Sequence, residues 1–249
     1  MSGIRRAAGA AAALSVCLLT PALAQGQIGR AGANGLSDSM GGAKQQARGG
    51  AGSAGHHGSP YDVPVTRELS VSETRVAERA YEDAKALLQR ARAAVADDAQ
   101  WQARGKALAE TWFGSGDTGT RRRVLEGIDR MLAKRAYLGH GTIKTPAVAF
   151  VHPAWPSTIH LTDAFFRPDQ RDRRVRTMVH ELSHFQDTVD TDDVKFTSMI
   201  ECREGNTFSQ ECIGLEAYGR RFAAKLLARK RMRNADNWAF FVDDVTRSR

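Results

Sequence analysis

Residues 172–186 read Asp-Arg-Arg-Val-Arg-Thr-Met-Val-His-Glu-Leu-Ser-His-Phe-Gln, and this stretch decides how the rest of the chain is interpreted. Two histidines, His180 and His184, stand four residues apart, so they face the same way if the stretch is helical. The apolar side chains recur at helical spacing on another side. They are Val175, Met178, Val179, Leu182 and Phe185. The pattern predicts a helix with one buried face and both imidazoles on a common side.

The stretch also contains an H-E-x-x-H motif, formed by His180, Glu181 and His184. Two imidazoles on one helical face can bind a single zinc ion, and the glutamate between them then lies beside a water on that ion. In such sites the glutamate is the general base, while Zn²⁺ lowers the pKa of the water and polarises a carbonyl group. The motif therefore predicts a zinc-dependent hydrolase with Glu181 as its base.

A catalytic zinc site uses three protein ligands and one open position, so a third ligand is expected. Asp190-Thr191-Asp192-Asp193 follows the predicted helix. These residues resemble the aspzincin metalloendopeptidases, which include deuterolysin and the peptidyl-Lys metalloendopeptidases, and in which H-E-x-x-H is followed by G-T-x-D-x-x-Y-G. The resemblance implies that Thr191 matches the threonine and that Asp193 matches the aspartate, the third zinc ligand. Glu216 is a rival for that position.

The resemblance extends beyond the motif, over roughly residues 70–245. Trp112-Phe113-Gly114, the stretch from Thr158 to Phe165, and Asn234-Ala235-Asp236-Asn237 look like the family and follow its order along the chain. The resemblance implies a zincin-like metallopeptidase domain that binds Zn²⁺ and acts on a peptide or protein substrate.

Two positions near the motif depart from the family pattern. Asp190 stands where the family has glycine, and Phe196-Thr197 stands where it has Tyr-Gly. The missing phenol is one expected near the developing oxyanion. Tyr218-Gly219 is a possible replacement, which makes the residues between Phe196 and Tyr218 an insertion. Under that interpretation Tyr218 stabilises the transition state.

A third departure concerns the substrate. In the peptidyl-Lys enzymes the aspartate of Asn-Ala-Asp-Asn and an acidic residue three positions later line the pocket for a substrate lysine. Here Asp236 is present, but Ala239 occupies the second position. The resemblance implies that Asp236 binds substrate, without a strict preference for lysine. The alternative is that Asp236 is an acidic residue of a first helical turn, favoured by the helix dipole.

Hydrophobic patterning predicts an α+β, mostly helical domain over residues 66–249. Ser70 and Glu73 form a capping-box pattern ahead of a long amphipathic helix. Residues 147–161 contain short β-favouring runs separated by prolines, which predict a small sheet beside the metal-binding helix.

The last part of the chain returns to helical spacing. One helix is predicted from about Ile213 to Arg231, and another from Asn234, as N-cap, to Val245. His152 and His160, in the β-like region, are interpreted as structural or substrate-adjacent rather than as zinc ligands.

Residues 1–24 read as a secretory signal peptide, in which Arg5 and Arg6 precede an apolar run that ends at Ala22-Leu23-Ala24. Residues 25–65 are rich in glycine, alanine, serine and glutamine, a composition typical of a flexible linker. No other stretch approaches the roughly 20 apolar residues that a membrane span needs. We therefore expect a secreted or periplasmic protein with no membrane span.

Cys202 and Cys212 remain once Cys17 leaves with the signal peptide, and an even pair in an oxidising compartment predicts a disulfide. The formal net charge is +8. The basic residues are spread over predicted helical segments, and solvated helix faces explain most of this positive charge. Export argues against nucleic acid as a partner. The oligomeric state is left open.

Two other functions fit the same residues. One is a catalytically inactive zinc-binding or interaction module, supported mainly by the phenylalanine at position 196. The other is hydrolysis of a cell-wall peptide rather than of a protein, because the motif specifies the reaction and not the substrate.

Overall fold

The computed structural model describes residues 65–142, 147–204, 207–208 and 212–247. The predicted signal peptide, residues 1–24, lies outside the described residues, and so does the predicted linker, residues 25–65, except for Val65. Within the described ranges, no helix has the length and apolar character that crossing a membrane requires.

Helices dominate the described part of the chain. They are α1 (Val71–Ala96), α2 (Asp98–Gln100), α3 (Lys106–Phe113), α4 (Thr118–Ala133), α5 (Asp163–Phe166), α6 (Arg174–His184), α7 (Gly219–Ala223), α8 (Ala228–Arg231) and α9 (Ala235–Thr246), with a π-helical turn at Trp101–Gly105 and a 3-10 turn at Pro168–Gln170. The strands are β1 (Val65–Arg67), β2 (Tyr137–Thr142), β3 (Ala149–His152), β4 (Trp155–Leu161), β5 (Arg203–Glu204) and β6 (Thr207–Phe208). The predicted α+β, mostly helical fold class is confirmed.

Helix α1 begins at the predicted capping box. The Ser70 hydroxyl accepts a hydrogen bond from the Glu73 amide, and the Glu73 carboxylate accepts one from the Ser70 amide at 2.8 Å. The buried face of α1 is mostly alanine and leucine and packs against α4, α6 and α9. Because its side chains are small, this face lets the three helices approach closely around one core.

Helix α3 ends at Phe113, and Gly114 is its C-cap residue. This glycine has φ +82°, in the left-handed region where a side chain is strained. A β-carbon at this position would also lie 2.4 Å from the β-carbon of Ala228, at the start of α8. Gly114 thus both ends α3 and allows α8 to pack against it.

The four-stranded sheet has the order β1-β2-β4-β3, with β2 parallel to β4 and the other pairs antiparallel. The sequence predicts β3 and β4, but it misses β2, which contains two glycines, and the three-residue β1. On β4, Ile159 and Leu161 join the core. His160 stacks on Phe150 of β3, with ring centroids 5.0 Å apart. Strand β3 forms one edge of the sheet and contacts α6.

The prediction of one helix from Ile213 to Arg231 is wrong. Residues 213–217 instead pair with the chain that follows α6: the Phe196 amide donates to the Leu215 carbonyl, and the Ala217 amide to the Val194 carbonyl, both at 2.9 Å. Helical structure returns only at α7 and α8, which are short. Backbone hydrogen bonds with residues 194–196 take the place of helical ones in this segment.

The predicted disulfide joins Cys202 to Cys212. Beside it, the buried Glu201 carboxylate accepts hydrogen bonds from the Thr197, Ser198 and Leu227 amides and forms a 2.8 Å ion pair with Lys230. These contacts hold residues 197–202 against Leu227 and α8.

Candidate metal centre

Three predicted ligands converge at the C-terminal end of α6. His180 and His184 lie one turn apart on that helix, and Asp193 comes from the segment that follows it. Each offers one ligand atom, and these atoms all lie within 4.8 Å of one another. Glu216, the rival third ligand, is not in this group.

The spacing of the three ligand atoms suits a tetrahedral ion. The Nε2 atoms of His180 and His184 are 3.1 Å apart, and Asp193 Oδ1 lies 3.2 Å from the first and 3.7 Å from the second. Zinc–ligand bonds of 2.0–2.1 Å at tetrahedral angles place ligand atoms about 3.3 Å apart. Two imidazole nitrogens and one carboxylate oxygen are also among the donors that Zn²⁺ prefers. The residues therefore fit a zinc ion.

The far side of each imidazole is held by an acceptor. His180 Nδ1 lies 2.9 Å from Asp236 Oδ1, and His184 Nδ1 lies 2.8 Å from the Thr191 carbonyl oxygen. Hydrogen bonds of this kind place the proton on Nδ1 and leave the lone pair of Nε2 for a metal. Asp236 Oδ2 also accepts a short hydrogen bond from the Gly219 amide.

Charge within the cluster favours a cation. Burial by itself raises the pKa of Asp193, but His180 and His184 hold that pKa well below its ordinary value. Burial also lowers the pKa of His180, yet Asp193 and Asp236 raise it well above its ordinary value. Two carboxylates facing one buried imidazole make a positive charge between them favourable, which a metal ion supplies.

Glu181 lies on the same helix and is 3 % exposed. Among the described residues its Oε2 atom has no hydrogen-bond partner. Burial raises the pKa of Glu181 to about 8, a shift that His180 opposes and Asp193 adds to. A cation at the centre would favour the charged form of this carboxyl group, which is the form that accepts a proton.

Tyr218, the residue before α7, brings a phenol to the centre. Its hydroxyl donates to Asp193 Oδ2 at 3.1 Å, and its ring centroid lies 6.4 Å from that of His180. Burial, together with Asp193 and Glu216, raises the pKa of Tyr218, so the phenol keeps its proton and can donate. Phe196 instead lies in a small apolar cluster with the disulfide and is 2 % exposed.

Side chains of the Asn-Ala-Asp-Asn stretch form hydrogen bonds with the segment that carries Asp193 and with the end of α3. Asn234 is the N-cap residue of α9, as predicted, but its side chain makes no capping hydrogen bond. It accepts instead from the Val194 amide at 3.0 Å and donates to Asn237. Asn237 in turn donates to the Trp112 carbonyl at 2.7 Å, which joins two stretches that the sequence could relate only by resemblance.

Asp236 is the predicted residue whose surroundings differ most from the expectation. Both of its carboxylate oxygens are engaged, one by His180 and the other by the Gly219 amide. Contact with substrate stays a prediction for this residue. Its position behind His180 had no signal in the sequence beyond the first-turn location of the acid.

Comparison with solved structures shows the fold. A chain described as a zinc peptidase from Grifola frondosa matches with a TM-score of 0.52 and 23 % sequence identity, and the match covers 71 % of this chain and 97 % of that one. No curated protein matches. The described domain thus has the fold of a zinc metallopeptidase.

Comparison of the sequence with family models finds a match. Residues 98–214 match the family model for aspzincins, described as lysine-specific metallo-endopeptidases. That span contains the H-E-x-x-H helix and Asp193. This match and the fold support a zinc metalloendopeptidase that is similar to the aspzincins over these residues, as the resemblance implied.

Proposed function

We propose that this protein is an exported zinc endopeptidase in which His180, His184 and Asp193 hold the metal and Glu181 is the general base. The observation that carries the proposal is the convergence of these three ligand atoms beside a buried carboxyl group with one unpartnered oxygen among the described residues. Zn²⁺ at this site supplies a Lewis acid that activates water and polarises the scissile carbonyl.

The side chains of this chain divide the remaining work. Glu181 accepts a proton from the attacking water and passes it to the leaving amine. Tyr218 donates a hydrogen bond to the carbonyl oxygen as negative charge develops on it. Asp236 orients His180 through Nδ1, so we infer that it acts on the metal ligand and not on the substrate.

Strand β3 offers a surface for an extended substrate. The Thr162 amide donates to the Val148 carbonyl, and in this antiparallel register Phe150 pairs with His160 in the same way. The backbone groups of Ala149 and Val151 therefore face away from β4, at the edge of the sheet. Main-chain pairing along this edge would align peptides of varied sequence.

Export is proposed from the first 24 residues and supported by the disulfide, because disulfides persist in oxidising compartments. The substrate is a peptide or protein, and a cell-wall peptide is the alternative, since β3 recognises backbone and not side chains. Tyr218 supplies the phenol whose absence at position 196 was the main support for an inactive module.

The test is digestion of an unfolded protein, such as casein, by purified protein with and without a chelator. We expect cleavage that the chelator abolishes and that added Zn²⁺ restores. Zinc binding without any cleavage of casein, of a peptide library or of cell-wall peptides would favour the inactive module.

A further inference from the structure

The segment Tyr218-Gly219-Arg220 is attached to one face of α9 at two points. Gly219 has φ +79°, a left-handed conformation that turns the chain sharply between its neighbours. On one side of this turn Tyr218 reaches Asp193, and on the other side Arg220 reaches Asp244. The turn itself is held by its amide hydrogen bond to Asp236.

The contact of Arg220 with α9 is a two-pronged ion pair. Nη1 lies 2.6 Å from Asp244 Oδ2, and Nη2 lies 2.8 Å from Asp244 Oδ1. The Asp244 carboxylate also accepts from Trp112 Nε1 at 2.9 Å and is 13 % exposed. The guanidinium lies over the rings of Trp112 and Phe240, 5.3 Å and 4.9 Å from their centroids. A planar fork between a carboxylate and aromatic faces has one preferred orientation.

Helix periodicity explains why α9 can bind both the Gly219 amide and the Arg220 guanidinium. Asp236, Phe240 and Asp244 are spaced four residues apart, so they form a single stripe along α9. Asp236, at one end of the stripe, holds His180 and the Gly219 amide, and Asp244, at the other end, holds Arg220. The same stripe therefore fixes a metal-binding histidine and the segment that carries the phenol.

We propose that Arg220 is a positioning residue for Tyr218: its ion pair with Asp244 holds the Tyr218 hydroxyl where the substrate oxyanion forms. Tyr218 is 47 % exposed and belongs to an irregular segment, so packing alone constrains it weakly. The inference rests on the proposed function, because Arg220 acts only through Tyr218. A displacement of about 1 Å can cost a catalytic group up to about 100-fold in rate.

The experiment compares the steady-state kinetics of the wild type, two single variants and their double variant on one fluorogenic peptide that the wild type cleaves. We expect Tyr218→Phe to lower kcat about 100-fold, on the scale of one lost oxyanion donor. Arg220→Ala should lower kcat about tenfold, with KM and zinc content unchanged. In the Tyr218→Phe background Arg220→Ala should have no further effect, whereas a purely structural role would add its loss there too.

Two more variants complete the design. Arg220→Lys keeps the charge without the fork and should restore kcat only in part. Arg92→Ala is the matched control, because Arg92 is similarly exposed and pairs with Asp129 between α1 and α4, where it should leave kcat unchanged. If Arg220→Ala fails to fold, Asp244→Asn removes the same ion pair and is held to the same expectations.

The results distinguish failure of the proposed function from failure of the proposed role of Arg220. Absence of chelator-sensitive cleavage by the wild type contradicts the proposed function. If the wild type is active, this inference is overturned by unchanged kcat in Arg220→Ala, by unchanged kcat in Tyr218→Phe, or by additive losses in the double variant.

Discussion

At the scale of single residues, the candidate centre depends on which carboxylate completes the ligand set. Asp193 Oδ1 lies 3.2 Å from His180 Nε2, whereas Glu216 belongs to the surroundings of Tyr218. The Asp193 segment is also held on both sides, by the Thr191 carbonyl contact with His184 and by Asn234 at the Val194 amide. These contacts favour Asp193 as the ligand and give Glu216 a role near the phenol.

Asp193→Asn and Glu216→Gln test this assignment as a matched pair of isosteric changes. We expect Asp193→Asn to weaken zinc affinity at least about tenfold and to remove peptidase activity, because it neutralises a ligand. Glu216→Gln should keep zinc affinity close to that of the wild type. Titration with a competing zinc chelator measures both, and loss of zinc by the glutamine variant alone would assign the site to Glu216.

The backbone conformation of Asp190, which stands where the family has glycine, affects the free energy of unfolding. It has φ +59°, a left-handed conformation, at the position where the family has glycine. A side chain in this region costs about 1 kcal/mol or more, although aspartate tolerates it better than most residues. We expect Asp190→Gly to raise the free energy of unfolding by about 0.5 to 1 kcal/mol. Asp190→Ala is the control and should lower it.

Urea denaturation with excess Zn²⁺ measures the effect of both Asp190 variants. A glycine variant that is less stable than the wild type would show that the side chain of Asp190 contributes more than its backbone conformation costs.

At the scale of elements, the sequence predicts structure best where one spacing is sustained. Helices α1 and α6 follow from their apolar periodicity, and α1 also from its capping box. Strand β2 could not be predicted, because its glycines carry no strand preference and its pairing with β4 brings together residues distant in sequence. The segment at residues 213–217 has helical spacing but is held by pairing with residues 194–196.

The residues of the site likewise divide into those that a local spacing predicts and those that depend on contacts between distant segments. His180, Glu181 and His184 are predictable because one helix carries them. The contacts of Asp236, Asn234 and Arg220 join elements that are far apart in sequence, so no local pattern indicates them.

The sheet contains a pH-sensitive element in His160. This side chain is 2 % exposed, and neither of its ring nitrogens has a hydrogen-bond partner among the described residues. Burial lowers the pKa of His160 to about 4, and the nearby His152 adds to the shift. Because the folded-state pKa lies below the unfolded value of 6.5, the folded protein binds fewer protons between these two values. The contribution of neutral His160 to the free energy of unfolding is therefore complete above pH 6.5 and is lost as the pH falls towards 4.

His160→Phe should therefore reduce the loss of stability at acid pH. We expect the free energy of unfolding of the wild type to fall by about 2 kcal/mol more than that of the variant between pH 7 and pH 4. Denaturation of both proteins in the metal-free state keeps zinc release out of the comparison. Parallel pH profiles would show that His160 does not contribute.

At the scale of the whole molecule, substrate preference depends on which carboxylates remain available at the centre. Both oxygens of Asp236 are engaged, and Ala239, at the second position of the family's lysine pocket, is fully buried. Neither position offers an uncommitted carboxylate to a substrate cation. The arrangement therefore favours backbone recognition along β3 over recognition of one side chain.

Peptide-library digestion with mass-spectrometric identification of the cleavage sites tests this expectation. We expect enrichment of lysine beside the scissile bond to stay below about tenfold, because no paired acidic site selects it. Near-exclusive cleavage at lysine would require another acidic group of this chain to bind the substrate.

The central claim is that the helix of His180, Glu181 and His184 carries a zinc centre in which Glu181 moves the proton. The most direct measurement is the zinc content and peptidase rate of purified Glu181→Gln beside the wild type. We expect one zinc per chain in both proteins and a loss of kcat of at least about 1,000-fold in the variant, because an amide replaces the general base. A variant that retains its zinc and cleaves at the wild-type rate would contradict it.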